Sequence, residues 1–253
     1  MERFPKRVLL PAIAAVCIAA CLAVVIWKML QFRSQLAAIE NPQWERRLAD
    51  EHLYLHPIVL FGDSQVYNWP IATSFGSLPI LDRGVKGMYA VEATRRFERD
   101  VLPLHPALVV ILIGTNDIAN EVPIEFILRS IELMSSSARK QGVPVIICSV
   151  LPAGGGAARL RPRETIERLD ASLRALAETL GAGYVDLYSA LQDNRGQLAA
   201  SFSDDGLHPN AVGYLHMTGV LLPHLLRYYR NAQPGAQSTG TTKPAAGTMP
   251  DPY

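Results

Sequence analysis

The chain has 253 residues, 49% of them hydrophobic and 19% charged, with a formal net charge of +1. That length suits one α/β domain with appendages, and the apolar share supplies a sizeable core. The near-zero charge, with no long basic run beyond the N-terminus, excludes a nucleic-acid surface or an acidic partner as the organising feature. Of three cysteines, Cys17 and Cys21 lie in an apolar N-terminal segment. Cys148 is alone in the globular part, which therefore forms no internal disulfide, and it reads as a small buried hydrophobe.

Val8 to Trp27 carries no charge. As a helix it would span about 30 Å, one hydrocarbon core. We read residues 1–30 as a membrane anchor of a single-pass protein. A cleaved signal peptide and a lipoprotein signal at Ile18-Ala19-Ala20-Cys21 are the alternatives. Arg3, Lys6 and Arg7 precede the run and Lys28 and Arg33 follow it, so flanking charge decides orientation weakly. A basic tail before an apolar run favours a globular part outside the cytoplasm, periplasmic in a bacterium. Residues 31–56 read as a juxtamembrane linker or helix. His52 and His56 have a spacing that can hold a metal on a helix, but no zinc-protease signature surrounds them, and they read as solvated.

From residue 57 to 230 short apolar runs alternate with amphipathic stretches. Strands are expected at Ile58–Phe61, Pro79–Leu81, Ala107–Ile113, Val143–Val150 and Tyr184–Leu187. The unbroken apolar runs among them mark strands covered on both faces. Helices are expected at Ala90–Leu102, Ile124–Gln141, Arg163–Leu180 and Asn210–Tyr229, the last kinked or split at Pro223. Ala153 to Ala158 reads as a flexible loop and lacks the ending of a phosphate-binding loop. Strand–helix alternation predicts a three-layer α/β/α sandwich around a mostly parallel five-stranded sheet. Residues 231–253, rich in Pro, Gly, Thr and Ala, are expected to be disordered.

Four motifs sit at element ends: Gly62-Asp63-Ser64, Gly84-Val85-Lys86-Gly87, Gly114-Thr115-Asn116-Asp117, and Asp205-Gly206-Leu207-His208 before Pro209-Asn210. An open parallel sheet binds ligands outside the carboxyl ends of its strands, where the first three motifs fall. A serine hydroxyl needs a base, and imidazole changes charge near neutral pH. Asp205, three residues before His208, can fix its tautomer; adjacent Asp204 has the less suitable spacing. Attack on an ester creates an oxyanion, for which the backbone N–H groups of Ser64 and Gly87 and the amide of Asn116 are candidate donors. Singly, each motif reads as a turn, a cap or loop punctuation. All four in this order, each at an element boundary, leave that reading little room.

This constellation resembles the SGNH hydrolases, also called GDSL-type esterases and lipases, over about Pro57 to Tyr229. Ser64 matches the family's nucleophile, Gly87 its oxyanion glycine and Asn116 its oxyanion asparagine. Asp205 and His208 match the last block. Gln65 stands in place of the leucine of the GDSL name, and Asp82 where an asparagine is common. The resemblance implies a flavodoxin-like fold, a shallow open site, and no metal or organic cofactor. It implies a serine esterase; with the anchor, the expected substrate is an acetyl or short acyl ester of an envelope saccharide. An O-acyltransferase on the same acyl-enzyme, a lipase or lysophospholipase, and a non-catalytic glycan-binding domain are the alternatives. Oligomeric state is not legible.

Trp69, close behind the nucleophile, can stack on a sugar ring or pack the domain, and is a candidate substrate-binding residue. Lys86 can meet a substrate anion or stay solvated. Arg159, Arg161 and Arg163 flank the flexible loop and have the same two readings, solvation being the default. Asp63 and Asp117 read as structural groups that hold their motif loops.

Overall fold

The computed structural model describes residues 56–232, together with the single positions Leu22, Val25 and Lys28, which are helical and exposed. The chain divides into two compact units, 1–52 and 53–253, and the α/β fold lies in the second. Five strands form one sheet: β1 (Ile58–Gly62), β2 (Ile80–Gly84), β3 (Leu108–Leu112), β4 (Val145–Cys148) and β5 (Gly183–Val185). Their order is β2-β1-β3-β4-β5 and every neighbouring pair is parallel. The chain steps from β1 to one side and then returns to place β3 on the other, so the ends of β1 and β3 flank the point where the winding reverses. This is the flavodoxin-like doubly wound order, and the crevice at that reversal is where such sheets bind ligands.

Within residues 56–232, eight α-helices accompany the sheet: α1 (Ser64–Tyr67), α2 (Ile71–Phe75), α3 (Ala90–Asp100), α4 (Thr115–Ala119), α5 (Ile124–Lys140), α6 (Arg163–Leu180), α7 (Tyr188–Leu191) and α8 (Ala211–Ala232). Side chains of a strand alternate between faces, and both faces here are covered. Val59, Phe61, Val109, Ile111, Val145 and Ile147 pack with Phe97 of α3, Ile127 and Ile131 of α5 and Leu169 and Leu173 of α6. Ile58, Leu60, Leu108, Val110, Ile146 and Cys148 pack with Phe75 of α2, Leu191 of α7 and Met217, Leu221 and Leu225 of α8. Each such fully buried side chain contributes about 1.5–3 kcal/mol of transfer free energy.

The three-layer architecture agrees with the expectation, and the sheet is parallel throughout. Local differences have physical causes. β2 runs on to Gly84, past the expected Leu81, because Asp82 and Arg83 hid an edge strand behind polar side chains; Arg83 is nonetheless buried. β5 lies one residue earlier at its start and two earlier at its end than expected. α8 is one unbroken helix with Pro223 inside it, not two. It continues to Ala232, so the first two residues of the expected disordered tail are helical; residues 233–253 lie outside the described ones. Part of the expected loop after β4 is a 3-10 turn, Ala157–Arg159. The short helices α1, α2, α4 and α7 had no periodic signal, being too short to show one.

The expected membrane anchor, Val8–Trp27, falls outside the described residues apart from Leu22 and Val25. Among the described residues no helix is long and apolar enough to cross a membrane. Also among them, no group of side chains is arranged to hold a metal ion. Exposed His56 meets the carbonyl of His105 through Nδ1 at 3.0 Å; His52 lies outside the described residues.

Candidate active site

β1 ends at Gly62, and the chain turns at once into α1, with Asp63 as its N-cap. The Asp63 carboxylate accepts from the Gln65 N–H at 2.9 Å, satisfying one of the donors a helix start leaves open. Ser64 is thus the first helical residue, at the sheet edge, with its backbone N–H in the first turn. Its Oγ lies 3.0 Å from His208 Nε2. His208 Nδ1 lies 2.7 Å from Asp205 Oδ2. These three side chains, 144 residues apart at the extremes, form one hydrogen-bonded chain. Asp204 takes no part: its carboxylate accepts from the Asn210 amide at 3.4 Å.

The loop that carries Asp205 and His208 is tightly self-bonded. Asp205 Oδ1 accepts from the backbone N–H of His208 at 2.7 Å and of Leu207 at 2.8 Å. The Ser203 hydroxyl donates to the same oxygen at 3.2 Å and accepts from the Gly206 N–H at 2.9 Å. Partial desolvation works to raise the Asp205 carboxyl, but these bonds from His208 and Leu207 outweigh it and hold it well below the usual carboxylate range. Asp205 therefore stays an anion beside the imidazole. Asn210 caps α8 through its Oδ1, which accepts from Val212 and Gly213 at 3.0 Å, and so anchors the other end of the loop.

The two remaining motifs are tied together. The Asn116 amide donates to the carbonyl of Met88, the residue after Gly87, at 3.1 Å. Gly87 is exposed, with φ +73 at the third position of a turn closed by Met88 N–H on Val85 O. That is the type II pattern, which favours glycine. Asp117, next to Asn116, accepts from the Ala90 N–H at 3.1 Å through both oxygens and so caps α3, the helix that follows Gly87. The Asp117 carboxyl, pushed up to about 6 by burial, and that of Asp63, pushed up to about 7 by burial against the pull of Gln65, are load-carrying hydrogen-bond acceptors inside the protein. Both hold motif loops, as their sequence positions suggest.

Trp69 is not at the site. It is 4% exposed, its Nε1 donates to Thr218 Oγ1 at 3.1 Å, and its ring packs against Phe75 and Tyr214. It pins α8 to α2, and its indole is unavailable to a sugar; the substrate-binding expectation is corrected. Arg161 is also misjudged by sequence: it is buried, and its Nε donates to the carbonyl and hydroxyl of Thr115 at 3.0 and 2.9 Å. Lys86 is exposed and lies 4.8 Å over the Tyr67 ring. Cys148 is buried, and burial pushes its thiol far above the usual range, which excludes a nucleophilic role.

Sequence reasoning missed three contributors. Gln65, buried, sends its amide to the Leu207 carbonyl at 3.4 Å, next to His208. The Tyr214 hydroxyl donates to the Gln65 carbonyl at 2.9 Å. Gly154, after β4, donates its N–H to the Gly206 carbonyl at 2.8 Å. Gln65 adjoins the first motif and Gly154 lies in the loop after β4, but nothing local shows which distant group each one meets.

A doubly wound parallel sheet with a Ser–His–Asp chain at its winding reversal defines a serine-type hydrolase on a flavodoxin-like fold. The chain belongs to the GDSL-like lipase/acylhydrolase family, whose model matches residues 41–215. It is therefore an ester-hydrolysing enzyme of the SGNH class. Among solved structures it is similar to a candidate acylhydrolase from Bacteroides fragilis NCTC 9343 (29% identity, 73% of this chain and 97% of that one, TM-score 0.66). It is similar also to a GDSL-like lipase from Bacteroides thetaiotaomicron VPI-5482 (25% identity, 73% and 97%, TM-score 0.65). A catalytic mutant of an acetylxylan esterase from Geobacillus stearothermophilus (18% identity, 67% and 94%, TM-score 0.56) shares the fold. No curated protein matches the chain.

Proposed function

We propose that the protein is a serine esterase that removes an acetyl or other short acyl group from a saccharide ester. Ser64 is the nucleophile, His208 its base and Asp205 the group that orients and stabilises the imidazolium. The observation that carries this reading is the unbroken chain from Ser64 Oγ to His208 Nε2 (3.0 Å) and from His208 Nδ1 to Asp205 Oδ2 (2.7 Å). His208 takes the hydroxyl proton as Oγ bonds to the acyl carbon. The carbonyl electron pair moves to oxygen, where the N–H groups of Ser64 and Gly87 and the amide of Asn116 are the proposed donors. Collapse expels the alcohol, which takes the proton back from His208. Water then repeats the cycle on the acyl-serine and releases the acid.

Ser64 is 9% exposed, and the short-acyl preference follows from the envelope setting expected of an anchored domain. The lipase reading remains the competitor, supported by the printed name of the Bacteroides thetaiotaomicron relative. We place the domain outside the cytoplasm, tethered by residues 1–30, on the strength of the uncharged run Val8–Trp27 behind a basic tail. Protease treatment of spheroplasts, with any outer membrane removed, that leaves the domain uncut would remove that placement.

The test is hydrolysis by the full-length chain in detergent, across p-nitrophenyl esters of rising chain length and a panel of acetylated oligosaccharides. Acetate should be the best aryl ester, with acetate released from at least one glycan. Ser64→Ala should lower kcat/KM by at least about 10³-fold and abolish labelling by a fluorophosphonate. Preference for long-chain esters would favour the lipase reading. Unchanged turnover in Ser64→Ala would end the assignment.

A further inference from the structure

The segment between β4 and α6 carries none of the four motifs, yet it bonds to two of them and acts electrostatically on a third. Gly154 bonds to Gly206 in the Asp205–His208 loop. Arg161, further along, is 8% exposed and reaches under α4. Its Nε is shared between Thr115 O (3.0 Å) and Thr115 Oγ1 (2.9 Å). Thr115 is 2% exposed, opens α4 and immediately precedes Asn116. The same guanidinium lies close enough to buried Asp63, the cap of the Ser64 helix, for the two charges to act on each other. Asp117 acts on Asp63 and the Tyr89 hydroxyl on Arg161, completing the ionisable groups that the cluster's electrostatics involve.

We propose that Arg161 is a positioning residue for catalysis, holding the Thr115–Asn116 turn so that the Asn116 amide stays aimed at the oxyanion. The inference rests on the reading of Ser64 and Asn116 given above. Burying a cation is costly unless its partners are well placed, and here one Nε–H, fixed in the guanidinium plane, is shared by both Thr115 acceptors, a position that a lysine ammonium on a flexible stem does not reproduce. The Asn116 amide is already committed on one side to Met88 O, so the direction of its second N–H depends on where the α4 backbone sits. A displacement of about 1 Å at that donor is enough to cost up to about 100-fold in rate, because the interaction is made chiefly in the transition state.

The experiment compares the full-length wild type with Arg161→Gln, Arg161→Lys, Thr115→Val and the Arg161→Gln/Thr115→Val double variant. Steady-state kinetics on p-nitrophenyl acetate are read beside circular-dichroism melts that give the folded fraction. Arg161→Gln should lose about 10- to 100-fold in kcat with KM within about twofold of wild type, while folded at the assay temperature. Arg161→Lys should recover part of that loss. Thr115→Val should lose less than Arg161→Gln, and the double variant less than the product of the two singles, as groups acting through one contact do. A folded Arg161→Gln with kcat within about threefold of wild type, or a loss that appears in KM alone, overturns the proposal. Should Arg161→Gln fail to fold, Arg161→Lys and Thr115→Val decide: wild-type kcat in both overturns it, and a reduced kcat in either at full folding supports it. Wild-type turnover that dies in Ser64→Ala but survives in Arg161→Gln sinks this inference alone. A wild type without turnover or fluorophosphonate labelling sinks the function reading and this inference with it.

Discussion

At the scale of single residues, the site depends on one carboxylate kept charged. Asp205 gives Oδ2 to the His208 ring and Oδ1 to two backbone N–H groups and the Ser203 hydroxyl. Asp205→Asn keeps the shape but replaces a charged acceptor with an amide, which favours the wrong imidazole tautomer. In proteins where this exchange has the same geometry the rate falls about 10⁴-fold. A loss of kcat of that order, about 10³ to 10⁴-fold, is expected here with the melting temperature little changed, and a loss below about tenfold would show that Asp205 is dispensable. The serine, glycine, asparagine, aspartate and histidine were all legible as types at motif spacings. Trp69 was not legible, because an aromatic two residues past the end of a short helix can face either way. Only the distance to Thr218 and the contacts with Phe75 and Tyr214 settle its direction.

At the scale of elements, the loops after β4 and before α8 behave as one unit. Gly206 has φ +75, and a Cβ there would collide with the Gly154 carbonyl, so both backbone conformation and space require glycine. Gly206→Ala should therefore displace the Asp205–His208 loop. We expect kcat reduced by about 10-fold or more, since misplacing a base by about 1 Å is costly. Fluorophosphonate labelling of Ser64 should slow in parallel, and labelling at the wild-type rate would show that the loop tolerates the methyl group. Gly154 and Gly206 sit 52 residues apart in sequence, joined by the bond from Gly154 N–H to Gly206 O. Nothing in either stretch alone announces that pairing, which is why Ala153 to Ala158 read only as a flexible loop. The edge strand β2 shows the same limit from another side. Its Asp82 and Arg83 break the apolar run that sequence reading relies on, and parallel pairing with β1 from Ile80 to Gly84 extends the strand regardless.

At the scale of the whole molecule, buried carboxyls set how stability varies with pH. Asp170 in α6 is 8% exposed, and burial, with Asp186 and Glu167 nearby, pushes its carboxyl up to about 8 from an ordinary 3.8, against the pull of the Val150 N–H and Arg174. The folded state thus holds this proton more tightly than the unfolded chain does. Its contribution is complete below about pH 4 and is lost as pH rises to about 8. Asp63 and Asp117, raised to about 7 and about 6, act in the same direction over their narrower windows. Asp205, depressed, acts oppositely: its contribution is present above the ordinary carboxylate range and lost in acid. Wild-type melting temperature should therefore fall between about pH 5 and about pH 8.5. Asp170→Asn keeps an oxygen for the Val150 N–H and removes the ionisation. It should melt a few degrees above wild type at about pH 8.5 and close to it at about pH 5. Identical melting curves for the two proteins at both pH values would refute the buried-charge account.

By itself the sequence determined what periodicity and local spacing encode: the alternation of strands and helices, the doubly wound class, and the motif residues at element ends. Buried parallel strands betray themselves as apolar runs, and Asp-Gly-Leu-His is a local pattern, so both survive translation into one dimension. Tertiary structure alone decided which long-range pairs hold the site and the core around it. Arg161 with Thr115, Gly154 with Gly206, Gln65 with Leu207 and Trp69 with Thr218 are contacts between residues far apart along the chain. Each is selected by the packing of the sheet and its covering helices, a three-dimensional constraint that no local pattern records.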